Sequence, residues 1–388
     1  MFQIDRQALI ETTAGLVRIP SINPSLVPGA GGERAVAEAI AARLQRTPGI
    51  TVDLQDAGDG RPNVIASVGN GPGRTLMLNG HTDTVGVAGM EDPFSGRIDG
   101  NRLYGRGSSD MKAAMAAALV LLEEIARAGD FPGRLVVTFV ADEEHSSIGT
   151  QAICREIERW KPDAALVLEG TGLDITTAHK GFVWATITTH GFAAHGSRFE
   201  LGVDAIAHMG RVLVALEEHG RDLIAREPHA LVGPPSIHAS LINGGQELSS
   251  YPEECVLEIE RRTIPGETGE SVERELREIL DRLASEDEQF RGALEMGVVR
   301  DPFEIAPNAG IVTTVRRIAA AERGVEPRIT GGAGWMDSSL LDQVGVPVAI
   351  FGPAGEGAHG LVEWADLDVL EAFARILAQV CYDFCAAG

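Results

Sequence analysis

The stretch RLVVTFVADEEHSSIGTQAICREIERWKPDAALVLEG, residues 134–170, decides the fold. Its apolar opening, 134–140, has the length of a buried strand. Three carboxylates follow at once, Asp142, Glu143 and Glu144. A helical pattern then runs over 147–160, and a second short apolar run covers 164–168. A buried strand, a helix and another buried strand make an α/β pattern, with helices packed on both faces of a sheet. Working outward, apolar runs at 63–68 and 75–78 add strands. Residues 5–18, closed by Pro20, and residues 32–46 read as helices, as does 111–128. The same kind of pattern resumes after Asn308, with a strand at 346–351 and a last helix at 366–384. Between about 179 and 298 it changes. A strand (182–189), a helix (203–223), two strands (237–242 and 255–261), a helix (269–284) and a final strand (293–299) match the order of the ferredoxin-like unit. The expected fold is therefore α/β. Residues 1–178 and 299–388 form a larger domain with a mostly parallel sheet and helices on both faces. Residues 179–298 form an inserted ferredoxin-like α+β domain.

Composition narrows the function. The 388 residues exceed one compact core of ordinary size. Hydrophobic residues at 44% and charged residues at 23% place the chain among globular proteins. Lys plus Arg number 33 against 56 Asp plus Glu, a net charge of -23. That balance argues against a nucleic-acid partner, whose phosphates need a basic surface, and against anionic membranes. The four cysteines, Cys154, Cys255, Cys381 and Cys385, form no Cys-x-x-Cys pair and no disulfide framework. The opening MFQIDRQALI lacks an apolar signal core, and the longest apolar stretch, 113–122, is too short to span a bilayer. A reducing, cytoplasmic setting is expected.

Five polar groups stand just past predicted strands or in the loops leading to helices. His81-Thr82-Asp83 follows TLMLNG. Residues two apart on a strand share a face, so Asp83 could bind the ring nitrogen of His81 that a metal leaves unused. Asp110, in YGRGSSDMKAAMAA, reads alone as a helix N-cap, although a carboxylate has two oxygens and could bridge two cations. The adjacent carboxylates at 142–144 repel one another, which a cation or proton uptake relieves. Ligands of α/β sheets bind beyond that strand edge. Glu169 follows AALVL, and His359 lies in GEGAHGLVEWADL. Singly, each is an ordinary loop residue. Together, two imidazoles and three carboxylates make a nitrogen and oxygen set suited to zinc, cobalt or manganese.

HTDTV at 81–85, GRGSSDMKAA at 105–114, DEE at 142–144, LEGT at 168–171 and AHG at 358–360 carry a resemblance. In order and spacing they resemble the dizinc family of acetylornithine deacetylase, succinyl-diaminopimelate desuccinylase, aminoacylase and glutamate carboxypeptidase. The match runs from about residue 8 to the C-terminus. The resemblance implies that His81 and Glu169 hold one divalent ion, Glu144 and His359 a second, and that Asp110 bridges both. It implies a cis peptide between Asp110 and Met111, Glu143 as general base, and Asp83 as the support of His81. The inserted domain resembles the family's lid, which carries homodimer contacts. Within it, GFAAHGSRFELGVDA places His195 as the residue that polarises the substrate carbonyl. Arg262, in LEIERRTIPGE, matches an arginine that the family often uses on a substrate carboxylate. Ser249 and Ser339 occupy two further substrate positions, where many members have Asn and Arg. Glu260 stands where Asp is usual, Ala113 where Gly is usual, and His145 where a small residue is common.

The resemblance thus implies an amidohydrolase or metallopeptidase-like deacylase with two metal ions, zinc first and cobalt or manganese next. The favoured substrate is an N-acyl amino acid of the acetylornithine kind. The alternatives are succinyl-diaminopimelate, or the substrate of a di- or carboxypeptidase. A non-catalytic binding homologue would show a broken ligand set, and this set is intact. A nucleotide-cofactor enzyme or a serine hydrolase lacks support, since no Walker A, Gly-x-Gly-x-x-Gly or Gly-x-Ser-x-Gly element stands in the required context.

Overall fold

The computed structural model describes residues 4–387. The first three residues of the opening read for a signal core, and residue 388, lie outside the described residues. The chain divides into two compact units. One comprises Met1–Thr177, Ile305–Thr330 and Met336–Gly388; the other comprises Ala178–Glu304 and Gly331–Trp335.

The first unit is built on a sheet whose strands run in the spatial order Thr51–Asp56, Pro62–Val68, Arg134–Val140, Thr75–His81, Ala164–Val167, Val348–Ile350, Ile175–His179. The four central strands pair in parallel, and the outer pairings are antiparallel. Register aligns the ends of the central strands. His81 faces Val140, and Asn79 faces Val167. The loops beginning at residues 82, 141 and 168 therefore leave the sheet at one edge.

Alternate residues of a strand point to opposite faces. Leu76, Leu78, Leu135, Val137, Phe139 and Leu166 join one core with the helices Arg6–Val17, Ala113–Ala128, Gly310–Arg323 and Leu367–Ala386. The intervening Met77, Val136, Val140, Ala165 and Val167 are buried as well. The helices Ile148–Arg155 and Ser338–Gln343 pack on these strands. Both faces are thus covered, which is why these strands read as continuous apolar runs. Each fully buried Leu contributes about 2 kcal/mol. Gly149 permits the close approach of its helix, since a Cβ there would sit 2.4 Å from the carbonyl oxygen of Ala141.

The second unit has its own core. Its strands Ser236–Gly244, Glu254–Thr263, Gly181–His190 and Arg291–Arg300 lie side by side in that order, all antiparallel. In chain order this is 2-3-1-4, with the helices Ala205–Ala225 and Gly269–Glu286 packed on the strands and on each other. The arrangement is ferredoxin-like. The second helix opens with a capping box between Thr268 and Ser271.

Some elements depart from expectation. The helix expected over 147–160 breaks into Ile148–Arg155 and Ile157–Trp160 at Glu156. The helix expected from Met111 begins at Ala113, because Asp110 and Met111 have non-helical dihedrals.

Candidate metal centre

His81 ends its strand and is buried. Its Nδ1 lies 3.0 Å from the backbone carbonyl of Asp83 and 3.5 Å from the Asp83 carboxylate. Those contacts fix the ring and leave Nε2 facing outward from the sheet edge. The Asp83 carboxylate also accepts the backbone N–H groups of Glu143 at 3.1 Å and Glu144 at 3.2 Å. Burial opposes ionisation of Asp83, but these partners outweigh it and hold its pKa below the usual value.

Asp110 sits in the segment Ser108–Lys112, whose backbone is supported from far along the chain. Glu363, buried, gives that support. Its carboxylate accepts the N–H groups of Gly107 at 3.0 Å, Ser109 at 2.9 Å and Asp110 at 3.0 Å, and pairs with Arg106. The peptide from Asp110 to Met111 is cis. One oxygen of Asp110 lies 2.9 Å from His81 Nε2, and the other lies 3.4 Å from His359 Nε2.

The three consecutive carboxylates part company. Asp142, in the left-handed region at φ 69°, turns away from the sheet edge. Its carboxylate takes Arg61 at 2.6 Å and the Asn23 amide at 3.0 Å. Arg61 pairs in turn with buried Glu33. Glu144 reaches His359 Nε2 at 3.0 Å, and Glu169 lies 3.6 Å from His81 Nε2. His359 is itself held at φ 61°. Strained backbone of this kind gathers at functional sites.

The result is two groups that share one residue: His81, Asp110 and Glu169, and Asp110, Glu144 and His359. Within each, one donor atom per residue lies within 4.8 Å of the others. Asp110 is the shared member, with one oxygen toward each imidazole.

The charges describe what such a cluster lacks. Burial disfavours a His81 imidazolium, yet Asp110, Asp83 and Glu169 outweigh it and push the pKa well above the usual imidazole value. Hydrogen bonds to Asp110 and Glu144 raise His359 to about 10. Burial, helped by the charge of Asp110, raises Glu169 to about 8. Burial likewise raises Glu144 and, more strongly, Glu143, with the neighbouring acids adding to it. Asp110 stays well below the carboxylate range, because the two imidazoles overcome its burial. Acids short of positive charge hold protons on the histidines and on each other. Divalent cations supply the missing charge to nitrogen and oxygen donors of this type, so the residues fit a metal pair.

The remaining candidates lie apart from these groups in different ways. His195 is exposed in the second unit, and its Nδ1 accepts the Ser197 N–H at 3.2 Å. Arg262 binds Glu260 at 2.7 Å and stacks over Phe182. Ser249 is exposed and donates to Glu247. Ser339 is buried at the start of its helix, 3.4 Å from the Gln343 amide. Sequence reasoning missed Glu363, Arg61, Glu33 and Asn23. Each is a lone polar residue far along the chain from its partner, and no spacing rule singles it out. Asp337 is buried, takes a hydrogen bond from Thr150 at 2.6 Å, and is raised to about 6 by burial.

A parallel-centred sheet that presents carboxylates and imidazoles in two linked triads makes a candidate centre for a metal-dependent enzyme. A family model described as peptidase family M20/M25/M40 matches residues 77–383, and the chain belongs to that family. It is 29% identical over 356 residues to an acetylornithine deacetylase of Klebsiella pneumoniae (strain 342), covering 88% of each chain. Its fold is similar to that of an M20 family metallo-carboxypeptidase, Sso-CP2 from Sulfolobus solfataricus. That match has a TM-score of 0.78 and 18% identity, over 96% of this chain and 98% of the other. It is also similar to the YXEP protein of Bacillus subtilis, described as a dinuclear metal binding peptidase of the M20 family. Here the TM-score is 0.73 and the identity 16%, over 98% of each chain.

Proposed function

We propose that this chain is a two-metal amidohydrolase that removes the acyl group from an N-acyl amino acid of the acetylornithine kind. One observation carries the two-metal reading: the Asp110 carboxylate gives one oxygen to the His81 side and the other to the His359 side. His81 and Glu169 would hold one ion and Glu144 and His359 the other, with Asp110 between them. Zinc is the first expectation, and cobalt and manganese suit the same donors. Bound there, such a pair supplies a Lewis acid and makes a water acidic enough to act near neutral pH.

The protein's own groups do the rest. Glu143 takes the proton of the attacking water and later gives it to the leaving amine. Asp83 orients His81 and, through two backbone N–H groups, the loop of Glu143 and Glu144. His195 donates to the oxygen that gains charge on the carbonyl. Its Nδ1 lies 2.9 Å from the Ser197 hydroxyl and 3.2 Å from the Ser197 N–H, which would leave Nε2 for the substrate. Arg262 offers a planar pair of donors to a substrate carboxylate, and Ser249 and Ser339 line the substrate's path. Residues 1–178 and 299–388 form the catalytic domain. Residues 179–298 form a lid that also joins two copies. The edge strand Ser236–Gly244, which exposes Leu241 and Ile242, supports that pairing. The four cysteines are free, which supports a cytoplasmic setting. Among the described residues no helix is long and apolar enough to cross a membrane.

The substrate choice leans on the deacetylase relative. A panel of acetyl, succinyl and aminoacyl substrates tests it, read by released amine. The protein is assayed as isolated, after chelation, and after zinc, cobalt or manganese is added back. Release from acetylornithine that chelation abolishes and zinc restores is the expected result. Release from succinyl-diaminopimelate or peptides alone would move the chain to the desuccinylase or di-/carboxypeptidase alternative. Full turnover in metal-stripped protein would remove the two-metal reading.

A further inference from the structure

Asn23 is buried, lies outside the two triads, and yet touches the supports of both. Its segment runs beside the end of the His81 loop, bridged in parallel at Ile22 and Thr84. The Asn23 N–H donates to the Thr84 carbonyl at 2.9 Å, and the Thr84 N–H donates to Ser21 at 3.0 Å. The backbone is therefore fixed before the side chain is considered.

The side-chain amide makes three hydrogen bonds, with both of its donors used. Its oxygen accepts the Ser25 N–H at 2.9 Å. Its nitrogen donates to Asp83 Oδ2 at 2.8 Å and to Asp142 Oδ1 at 3.0 Å. Both N–H donors of the amide meet carboxylates, and a carboxylate in its place would set a third acid against the other two. The two carboxylates it joins have different tasks. Asp83 stands behind His81. The Asp142 carboxylate anchors the turn that carries Glu143 and Glu144, accepting the N–H groups of Ser146 at 3.2 Å and Ile148 at 3.5 Å.

We infer that Asn23 is a positioning residue: its amide clamps the carboxylate behind His81 to the loop carrying Glu143 and Glu144. The clamp sets the separation of the His81 and Glu144 donor groups. It rests on the reading that those residues hold metal. Arg61, which also pairs with Glu33, donates to the same Asp142 oxygen, so the clamp closes between an acid already held by an arginine and one that serves the site.

The test compares wild type with N23D, which keeps the volume and loses both donors, and with N23A, which removes the amide without adding charge. Zinc affinity is read by competition with a chromophoric chelator. The visible spectrum of the cobalt-loaded protein, kcat, KM and thermal unfolding are read alongside. Both variants are expected to bind zinc about 10- to 100-fold more weakly and to show an altered cobalt spectrum. Their kcat falls by a similar factor, with KM little changed. A folded variant with wild-type zinc affinity, cobalt spectrum and kcat, and only a lower melting temperature, would overturn the inference. Should N23D fail to fold, N23A decides by the same readings. Wild-type protein that binds no zinc would instead sink the two-metal reading, which keeps the two failures apart.

Discussion

At the scale of single residues, neighbours in sequence receive opposite tasks. Asp142 is satisfied by Arg61 and Asn23, while Glu143 and Glu144, one and two positions on, are left beside other acids. The sequence showed three carboxylates in a row but not how they divide, because the partners come from residues 23 and 61. Glu143 ligates nothing in either triad. Its replacement by Ala should leave zinc content, measured by atomic absorption, at the wild-type level. Turnover should drop by about 10²- to 10⁴-fold. Unchanged kcat would take Glu143 out of its role. Glu363 makes a second case. A Gln there keeps one acceptor oxygen and turns an NH₂ group toward donors that are left without an acceptor. Leaving such buried groups unpaired costs about 1–3 kcal/mol. E363Q should lower the urea midpoint accordingly and weaken metal binding through Asp110. Wild-type stability in E363Q would mean that the loop is held by other contacts.

At the scale of elements, the long amphipathic and apolar patterns were legible, and the short polar ones were not. The strand Thr51–Asp56 lies at the sheet edge with an alternating, largely exposed pattern, and no apolar run marks it. Ile175–His179, reading ITTAH, is fully buried but too short and polar to signal itself. The small sheet that joins Arg97–Asp99, Arg102–Tyr104, Trp364–Asp366 and Gly355–Glu356 uses strands of two or three residues, which carry no periodicity. The helix Gly269–Glu286 was visible, but its role in charge was not. Glu275 on that helix meets His219 at 3.2 Å, Arg226 at 3.0 Å and Arg261 at 3.3 Å. Burial alone would raise its pKa, and the hydrogen bond to His219 with the two arginines instead lowers it to about 2. A depressed carboxylate stabilises the fold above its unfolded pKa, and that stability fades as pH falls toward the folded value. The stability gap between wild type and E275Q should therefore be largest above pH 5, on the order of 2 kcal/mol for this partly exposed group. It should close as pH falls toward 2. A gap that stays constant across that range, followed by urea unfolding, would show that the ion cluster contributes nothing.

At the scale of the whole molecule, the two units have separate hydrophobic cores, and only the first carries the candidate ligands. The chain order of the second unit's strands and helices was readable because each is long and amphipathic. The candidate ligands were readable as a set because each lies at a strand end or in a loop leading to a helix, in motifs that carry the family resemblance. Their mutual distances were not, since those depend on sheet register and on buried polar partners. This division makes a prediction about metal removal. A ligand that binds only the folded state stabilises it by about 2.7 kcal/mol at a free concentration one hundred times its dissociation constant. Stripping the ions also returns Asp110, Glu143, Glu144 and Glu169 to one another's company without a cation. Calorimetry of chelator-treated protein should therefore show the transition of the first unit moved to lower temperature and restored by zinc. The transition of the second unit, whose core holds none of these residues, should stay where it is. A single transition that moves as one would mean that the units unfold together, and no movement at all would mean that the five side chains hold no metal in solution.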